Sequence, residues 1–311
     1  MPEAAGRRGA GQLSLSPRAA TDAPLFERGF QILALDVAIR TDCPLLDRRL
    51  DYLVQDARQD VAVCAQARFE ARLEAGGVYR ISQDGRELAL EYDPVEAMGR
   101  LYKASYAHAN QILPAGTVFL HAASGSHEQK RFLLIGDSGA GKTTLVTYLA
   151  WLGVAVEGDE IAVMMAEGVA ALPRRFHVKS DSLTQLPWLR PVAEASPTHD
   201  NGDGSFIFAV SPRQLGVDWS TGPRPIDAVF YLEANHGGQP RVEEMARTRM
   251  VELAIQQARL MARQDRSWLG PLCAMLNRAA AYKLIVGDLD KTAKILLSTV
   301  VEGAALVRRP P

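Results

Sequence analysis

The sequence has few cysteines, and their spacing argues against a common kind of metal site. Its 311 residues include three cysteines, Cys43, Cys64 and Cys273. They do not form the Cys-x-x-Cys pairs that structural zinc sites use. An odd number of widely spaced thiols is typical of a reducing compartment, so we predict buried or neutral thiols and no zinc site.

The sequence also lacks an apolar run close to the ~20 residues that a membrane-spanning helix needs. Residues 1–23 are rich in Ala, Gly, Arg and Pro and contain no apolar core, so they do not resemble a secretory signal. We predict that this segment is a disordered tail. We also predict that the protein is cytoplasmic and has no membrane partner.

Neither sign of charge is in excess. Lys and Arg total 35 and Asp and Glu total 36, which gives a formal net charge of -1. This balance argues against nucleic acid as a partner. The four tryptophans are too sparse for a platform that stacks bases. With 47% hydrophobic and 23% charged residues, the composition is that of an ordinary soluble globular protein.

One short segment carries a strong chemical signal. The apolar run 132–135 is followed directly by a loop of the form Gly-x-x-x-x-Gly-Lys-Thr, which is a phosphate-binding loop, or P-loop. Apolar residues then recur at helical spacing, so the loop opens a helix as this motif requires. We predict that ATP is bound by Gly136, Asp137, Ser138, Gly139, Ala140, Gly141, Lys142, Thr143 and Thr144.

Each part of this loop has its own physical role. The glycines let the backbone fold tightly enough for its N–H groups to point at an anion. Lys142 supplies a positive charge for the terminal phosphates, and the Thr143 hydroxyl is placed to bind Mg²⁺. The helix adds the positive end of its dipole.

Three further residues are candidate catalytic residues. Asp159 and Glu160 follow a short apolar segment at 154–156, which we expect to be the strand next to the P-loop strand. Asp159 would then lie near the terminal phosphate, where it can hold Mg²⁺ or take the proton of an attacking hydroxyl. His121 ends the strand before the P-loop strand and can approach the same pocket, although a lone histidine there is more often structural.

The pattern of predicted helices and strands divides the chain into three parts. Residues 1–23 form the tail, 24–113 a smaller N-terminal α/β unit, and 114–304 the nucleotide-binding domain. In the N-terminal unit we predict two strands around an Asp-Gly turn at 84–85 and a helix from Pro94 to about Ile112 capped by Asp93. In the nucleotide-binding domain we predict a polar turn at 124–130, a flexible loop at 191–205, and helices at 247–263 and 288–300.

Arg174, Arg175 and Lys179 form a basic cluster after the strand that follows Asp159. One interpretation is a clamp on the transferred phosphoryl group or on an acidic segment of the substrate. The other is a solvated basic turn, and the sequence does not decide between them.

With these features in order, the chain resembles the HPr kinase/phosphorylase catalytic domain, and more closely the HPr-kinase-related P-loop kinases that occur as stand-alone proteins. The resemblance covers about 93–297 and is carried by segments 119–123, 134–143, 157–162, 172–176 and 282–290. It implies an α/β fold of the HPr kinase/phosphoenolpyruvate (PEP) carboxykinase type with a smaller N-terminal α/β unit. It also implies that ATP transfers its γ-phosphoryl group to a hydroxyl, typically of serine. The family's histidine falls on His121, and its acidic pair falls on Asp159 and Glu160, with Asp159 as the proton acceptor.

The chain departs from the family at three points. HPr kinases usually carry Ser then Glu after the loop lysine, whereas this chain has Thr143 and Thr144, which puts a second metal ligand in doubt. The acidic pair is Asp-Glu instead of Asp-Asp. The Glu-x-Arg-Gly-x-Arg-type signature of phosphorylase activity and HPr contact is missing, so we expect neither phosphorolysis nor HPr as the substrate.

We predict a Mg²⁺- and ATP-dependent kinase that acts on a hydroxyl, with a protein or peptide acceptor favoured. The alternative is an ATP-binding regulatory or partner-binding module without phosphoryl transfer, and Thr144 favours it. A motor-type ATPase has little support, because no arginine-finger or hexamer signature is visible. Relatives of this fold often form dimers or hexamers, so a homo-oligomer is possible.

Overall fold

The computed structural model describes most of the chain as a mixed α/β protein. The predicted tail lies outside the described residues. Within them, the chain forms three β-sheets and seven α-helices. The described ranges are 25–33, 35–53, 64–172, 174–200, 204–217, 222–235, 237–259 and 266–307.

The first sheet is built from the N-terminal part of the chain. Its five strands follow the chain order, and all neighbours are antiparallel except β2 and β3. Two helices, α1 and α2, pack on it through a shared apolar core. These elements are β1 (Phe26–Ile32), β2 (Leu35–Thr41), α1 (Pro44–Leu53), β3 (Ala67–Glu74), β4 (Val78–Gln83), β5 (Arg86–Glu91) and α2 (Pro94–Ile112).

Two local predictions in this part are confirmed. Asp84 and Gly85 both adopt positive φ (48° and 82°) between β4 and β5, as a two-residue hairpin turn requires. Helix α2 begins at Pro94, and the Asp93 carboxylate accepts hydrogen bonds from two backbone N–H groups of the first turn, at 2.7 and 3.1 Å.

The second sheet contains nine strands, of which seven run in the order β10-β9-β6-β7-β14-β17-β15. The other two, β8 and β16, also pair with β6. The strands are β6 (Val118–His127), β7 (Lys130–Gly136), β8 (Ala155–Gly158), β9 (Ile161–Met165), β10 (Gly168–Ala171), β14 (Ala228–Ala234), β15 (Arg241–Glu244), β16 (Ala258–Arg259) and β17 (Ala280–Val286).

Strand β6 separates β7 from β8, so the prediction that they are neighbours is wrong. The polar turn predicted at 124–130 is confined to Glu128 and Gln129, which both have positive φ, and β6 extends to His127. The long strand folds back onto β7 as a hairpin. It therefore pairs with β7 on one side and with β8 on the other.

The parallel strands β7, β14 and β17 end at one edge of the sheet, where the glycine-rich loop begins. Alternate residues of β7 point to opposite faces. Leu134 shares an apolar cluster with helices α3 (Lys142–Trp151) and α7 (Leu289–Val307), and Leu133 shares another with α5 (Arg247–Gln256) and α6 (Leu269–Arg278). Helices on both faces therefore bury the parallel strands and position their carboxyl ends.

Several predicted boundaries in this part are wrong. Helix α5 stops at Gln256 because the chain turns there into β16, which pairs with β6. The last helix, in contrast, continues to Val307 instead of ending at 300. The predicted loop 191–205 contains helix α4 (Arg190–Glu194) and β12 (Thr198–Asp200). A third sheet, in the order β11-β13-β12, joins β12 to β11 (Phe176–Lys179) and β13 (Phe206–Val210).

The N-terminal sheet and its helices pack against the second sheet. Leu101 and Tyr106 of α2 share one apolar cluster with Phe119 of β6 and Ile161 of β9. The Tyr106 and Phe119 rings meet edge to face at 6.1 Å. None of the helices in the described part of the chain combines the length and apolar character that a membrane crossing requires.

Candidate functional site

The glycine-rich loop 136–144 leaves β7 at the edge of the sheet and leads into α3. Gly136 lies so close to β14 that a Cβ there would be 2.9 Å from the Leu232 carbonyl oxygen. Gly141 has φ of 95°, a left-handed conformation that side chains disfavour. Glycine at these two positions therefore allows the tight path that turns backbone N–H groups toward one point.

Lys142 is the first residue of α3, and its side chain folds back over the loop. Its Nζ donates to the carbonyl oxygens of Gly136 and Asp137, at 2.6 and 3.1 Å. The lysine is 6% exposed. These bonds hold the ammonium group beside the N-terminus of α3, where the backbone N–H groups and the helix dipole also favour a negative ligand.

Thr143 connects the loop to Asp159. Its Oγ1 donates to Asp159 Oδ2 at 2.9 Å. Asp159 is 2% exposed, and its Oδ1 is buried with no hydrogen-bond partner. Burial raises the pKa of Asp159 above its ordinary value of 3.8, the Glu160 charge raises it further, and the bond from Thr143 opposes the shift. The predicted proximity of Asp159 to the loop is therefore confirmed.

A break between β8 and β9 brings Asp159 to this point. Gly158 pairs with Ser124 and Ile161 pairs with His121, so β8 and β9 keep one register along β6 and are separated by the two-residue break at Asp159 and Glu160. Glu160 has φ of 69°, which is uncommon for a residue with a side chain. The Glu160 carbonyl oxygen accepts a bond from the Ala122 N–H at 3.2 Å, which holds this conformation.

Glu160 binds two side chains of the basic region. Its Oε2 lies 2.9 Å from an Arg174 nitrogen and 3.3 Å from His177 Nδ1. Burial raises the pKa of Glu160, but the Arg174 charge and His177 outweigh it and hold the pKa well below its usual range. The two adjacent carboxyl groups thus have pKa values shifted in opposite directions.

The structure separates the three predicted basic residues. Arg174 is 2% exposed, donates to the Tyr102 hydroxyl at 2.9 Å and is committed to Glu160, so it is not a solvated turn residue. A cavity lies beside the glycine-rich loop. Lys179 is an exposed residue that lines this cavity, whereas Arg175 does not line it. His177, which lies among these residues in the sequence, also belongs to this cluster. Tyr102 belongs to it as well but was not predicted, because it comes from α2.

His121 lies on β6 between the loop and Glu160, and it lines the cavity. Its Nδ1 is 3.3 Å from Gln257 Oε1, and Gln257 Nε2 donates to Asp137 Oδ1 at 3.2 Å. Gln257 was not predicted as a site residue. A glutamine after a helix carries no recognisable sequence signal, and only the pairing of β16 with β6 brings it to the loop.

The cavity beside the loop has a volume of about 520 Å³. It is lined by the loop with His121 and Glu160, and by residues at and just after the carboxyl ends of β14 and β17. Thr144 also lines it, and its hydroxyl donates to Ser182 Oγ at 3.1 Å. The residues from the ends of β14 and β17 are Ala234, Gly237, Val286, Gly287 and Leu289.

No cluster of three or more His, Cys, Asp or Glu side chains in the described ranges can hold a metal by itself. The Thr143 hydroxyl and the Asp159 carboxylate nevertheless meet at the loop, and one carboxylate oxygen there lacks a partner. Two oxygen donors fit a hard cation such as Mg²⁺, which usually completes its shell with water and phosphate.

Comparison of the chain with models of known protein families and with curated proteins finds no match.

The raised pKa of Asp159 predicts a pH-dependent difference between Asp159→Asn and the wild type. A carboxyl group whose pKa is higher in the folded than in the unfolded protein stabilises the fold at pH values below its unfolded pKa. This contribution is lost as the pH rises through the pKa of the folded protein. We expect the variant's free energy of unfolding to exceed the wild type's by on the order of 1 kcal/mol at neutral pH, because an unpaired buried charge is removed. The gap should close toward acidic pH. Urea unfolding of both proteins in chelator-treated buffer, from acidic to neutral pH, measures this difference in the free energy of unfolding. A difference that does not change with pH would contradict the prediction.

Proposed function

We propose that the protein is a Mg²⁺- and ATP-dependent phosphotransferase that moves the γ-phosphoryl group to a hydroxyl, with a protein or peptide serine as the favoured acceptor. The main support is the 2.9 Å contact between Thr143 and Asp159 at the start of α3, with one Asp159 oxygen left without a partner. The finer fold we propose is that of HPr kinase and PEP carboxykinase, because His121, the glycine-rich loop and Glu160 line one cavity and Asp159 bonds to Thr143 of that loop, as that resemblance implies.

The loop supplies the groups that a triphosphate needs. We infer that its backbone N–H groups and Lys142 bind the β- and γ-phosphates. Thr143 and Asp159 would hold Mg²⁺, which neutralises phosphate charge when bound. The lining residues at the carboxyl ends of β14 and β17 are small or apolar, which suits a base and ribose.

Asp159 and Glu160 have different roles in the transfer. In the transfer, the acceptor oxygen bonds to the γ-phosphorus, the bond from that phosphorus to the bridging oxygen breaks, and ADP leaves. The proton of the acceptor hydroxyl goes to Asp159, whose raised pKa suits a base. Glu160, kept ionised by Arg174 and His177, sustains that raised pKa by its own charge.

Thr144 favours a second candidate function, an ATP-binding module that controls a partner without phosphoryl transfer. Its hydroxyl bonds to Ser182, so this position supplies no acidic metal ligand. ATP binding would then shift the protein toward one conformation. The N-terminal unit packs on β6 and β9, and the partner would recognise that conformation through this unit.

Lys142→Ala tests the nucleotide site itself. We expect it to weaken Mg²⁺-ATP binding by roughly 10- to 100-fold, because a hydrogen-bonded charge on the phosphates is lost. Isothermal titration calorimetry measures the change. Lys103→Ala is the matched control, since Lys103 is exposed on α2 away from the cavity. Equal affinities for Lys142→Ala and the wild type would remove the loop from ATP binding.

Incubation with γ-labelled ATP and protein or peptide fractions of the source cells distinguishes the two functions. A labelled acceptor, absent with Lys142→Ala, supports the phosphotransferase. Tight ATP binding without any labelled acceptor supports the regulatory module. A protein that binds no ATP in the presence of Mg²⁺ would contradict both.

A further inference from the structure

Gln257 contacts His121 through both its backbone and its side chain. The Gln257 carbonyl oxygen accepts a bond from the His121 N–H at 2.8 Å, where β16 begins its pairing with β6. The Gln257 side-chain oxygen Oε1 lies 3.3 Å from His121 Nδ1. Gln257 is 8% exposed and follows directly on α5, so helix and strand together limit its freedom to move.

Asp137 determines which way the Gln257 amide faces. A carboxylate accepts hydrogen bonds but cannot donate them. The Gln257 nitrogen, 3.2 Å from Asp137 Oδ1, must therefore face Asp137. The Tyr231 hydroxyl donates to the other Asp137 oxygen at 3.1 Å and so holds the carboxylate in place. The amide oxygen of Gln257 is consequently the atom that faces the imidazole.

This orientation decides which ring nitrogen of His121 keeps its proton. Because an amide oxygen only accepts, His121 Nδ1 must be the donor in their contact. The bond made by one ring nitrogen fixes the protonation of the other. His121 therefore retains a proton on Nδ1 and gains or loses protons at Nε2.

We propose that Gln257 is a positioning residue that holds His121 in the Nδ1–H form, so that His121 exchanges protons with the cavity through Nε2. His121 lines the cavity together with Glu160. In this form Nε2 assists the acceptor hydroxyl next to the acidic pair. This catalytic role rests on the proposed phosphotransferase function, whereas the protonation pattern of the ring does not depend on it.

The protonation pattern is measured directly by ¹⁵N NMR of histidine-labelled protein. Spectra are recorded about two pH units above the ordinary histidine pKa of ~6.5, where neutral imidazole dominates. The chain has six histidines, and His121→Asn identifies the His121 signals by their loss. We expect the wild type to show a protonated Nδ1 and an unprotonated Nε2 at His121. A protonated Nε2 with an unprotonated Nδ1 would overturn the proposal without any variant of Gln257.

Two variants of Gln257 then test the cause. Gln257→Leu removes the acceptor, and we expect the His121 signals to shift toward a mixture of both neutral forms. Gln257→Glu loses the amide nitrogen that donates to Asp137 and sets two carboxylates against each other, so it should also disturb the wild-type pattern. Gln256→Leu is the matched control, because Gln256 is the exposed neighbour on α5. A Gln257→Leu protein with the wild-type His121 pattern would show that Gln257 does not set it.

Catalysis provides the second measurement. We expect Gln257→Leu to lower kcat by about 10- to 100-fold, as loss of an orienting partner typically does, with KM for ATP within about twofold of the wild type. Gln257→Glu should likewise lower kcat, and Gln256→Leu should leave it unchanged. An unchanged kcat in Gln257→Leu with an altered NMR pattern would refute the catalytic role. If the wild type transfers no phosphoryl group but shows Nδ1–H, the proposed function fails while the positioning of His121 stands.

Discussion

Asp159→Asn is expected to lower phosphoryl transfer by about 1,000-fold while Mg²⁺-ATP affinity changes by about threefold or less. The amide can still accept the hydrogen bond from Thr143, so the loop should keep its shape. It has no charge and cannot take a proton from the acceptor hydroxyl. Transfer of label from γ-labelled ATP to the acceptor, or to water where no acceptor is known, measures the rate, and calorimetry measures the affinity.

The Mg²⁺ dependence of this variant separates the two proposed roles of Asp159. If the carboxylate serves mainly as a metal ligand, excess Mg²⁺ should restore much of the rate. If it accepts the proton, the rate should stay low at saturating metal, which is the result we expect. Asp84→Asn is the control for the same chemical change, because Asn-Gly fits the turn between β4 and β5. Full transfer by Asp159→Asn would exclude Asp159 as the base.

The glycine-rich loop could be located from the sequence because its requirements are local. The apolar strand, the glycines and the helix lie within about twenty consecutive residues, and the backbone conformation follows from them. Asp159 was placed near the loop correctly but for the wrong reason. The predicted neighbour of β7 was β8, whereas β6 lies between them, and Asp159 reaches Thr143 from the break between β8 and β9.

The partners of the site residues could not be predicted, because they come from distant parts of the chain. In the sequence, Arg174 is one of three clustered basic residues. Only the structure shows that it is buried and that its charge pairs with Glu160, beside Tyr102. Gln257 reaches His121 because α5 ends and the chain pairs with β6. Neither arrangement produces a spacing or periodicity that can be recognised in a sequence.

Glu157→Ala should lower the free energy of unfolding by about 3–5 kcal/mol, which is a large part of the stability of an ordinary domain. Glu157 is 1% exposed on β8, and both of its oxygens accept bonds from Arg131 Nε of β7, at 3.0 and 2.9 Å. Arg224 donates to it at 2.6 Å. Removing the carboxylate leaves Arg131, which is 3% exposed, as a buried charge without its counter-charge. Urea unfolding followed by circular dichroism measures the loss.

Two further variants test whether a buried unpaired charge causes this loss of stability. Glu243→Ala removes a carboxylate that is 44% exposed and pairs with Arg241, so it should cost less than about 1 kcal/mol. The double variant Arg131→Met with Glu157→Leu removes both charges and should recover much of the lost stability, because no buried charge remains unpaired. If the double variant is as unstable as the sum of its single variants, the pair is not coupled. The loss would then reflect packing between β7 and β8 across β6, and the approach of Asp159 to Thr143 would depend on that packing instead of on the ion pair.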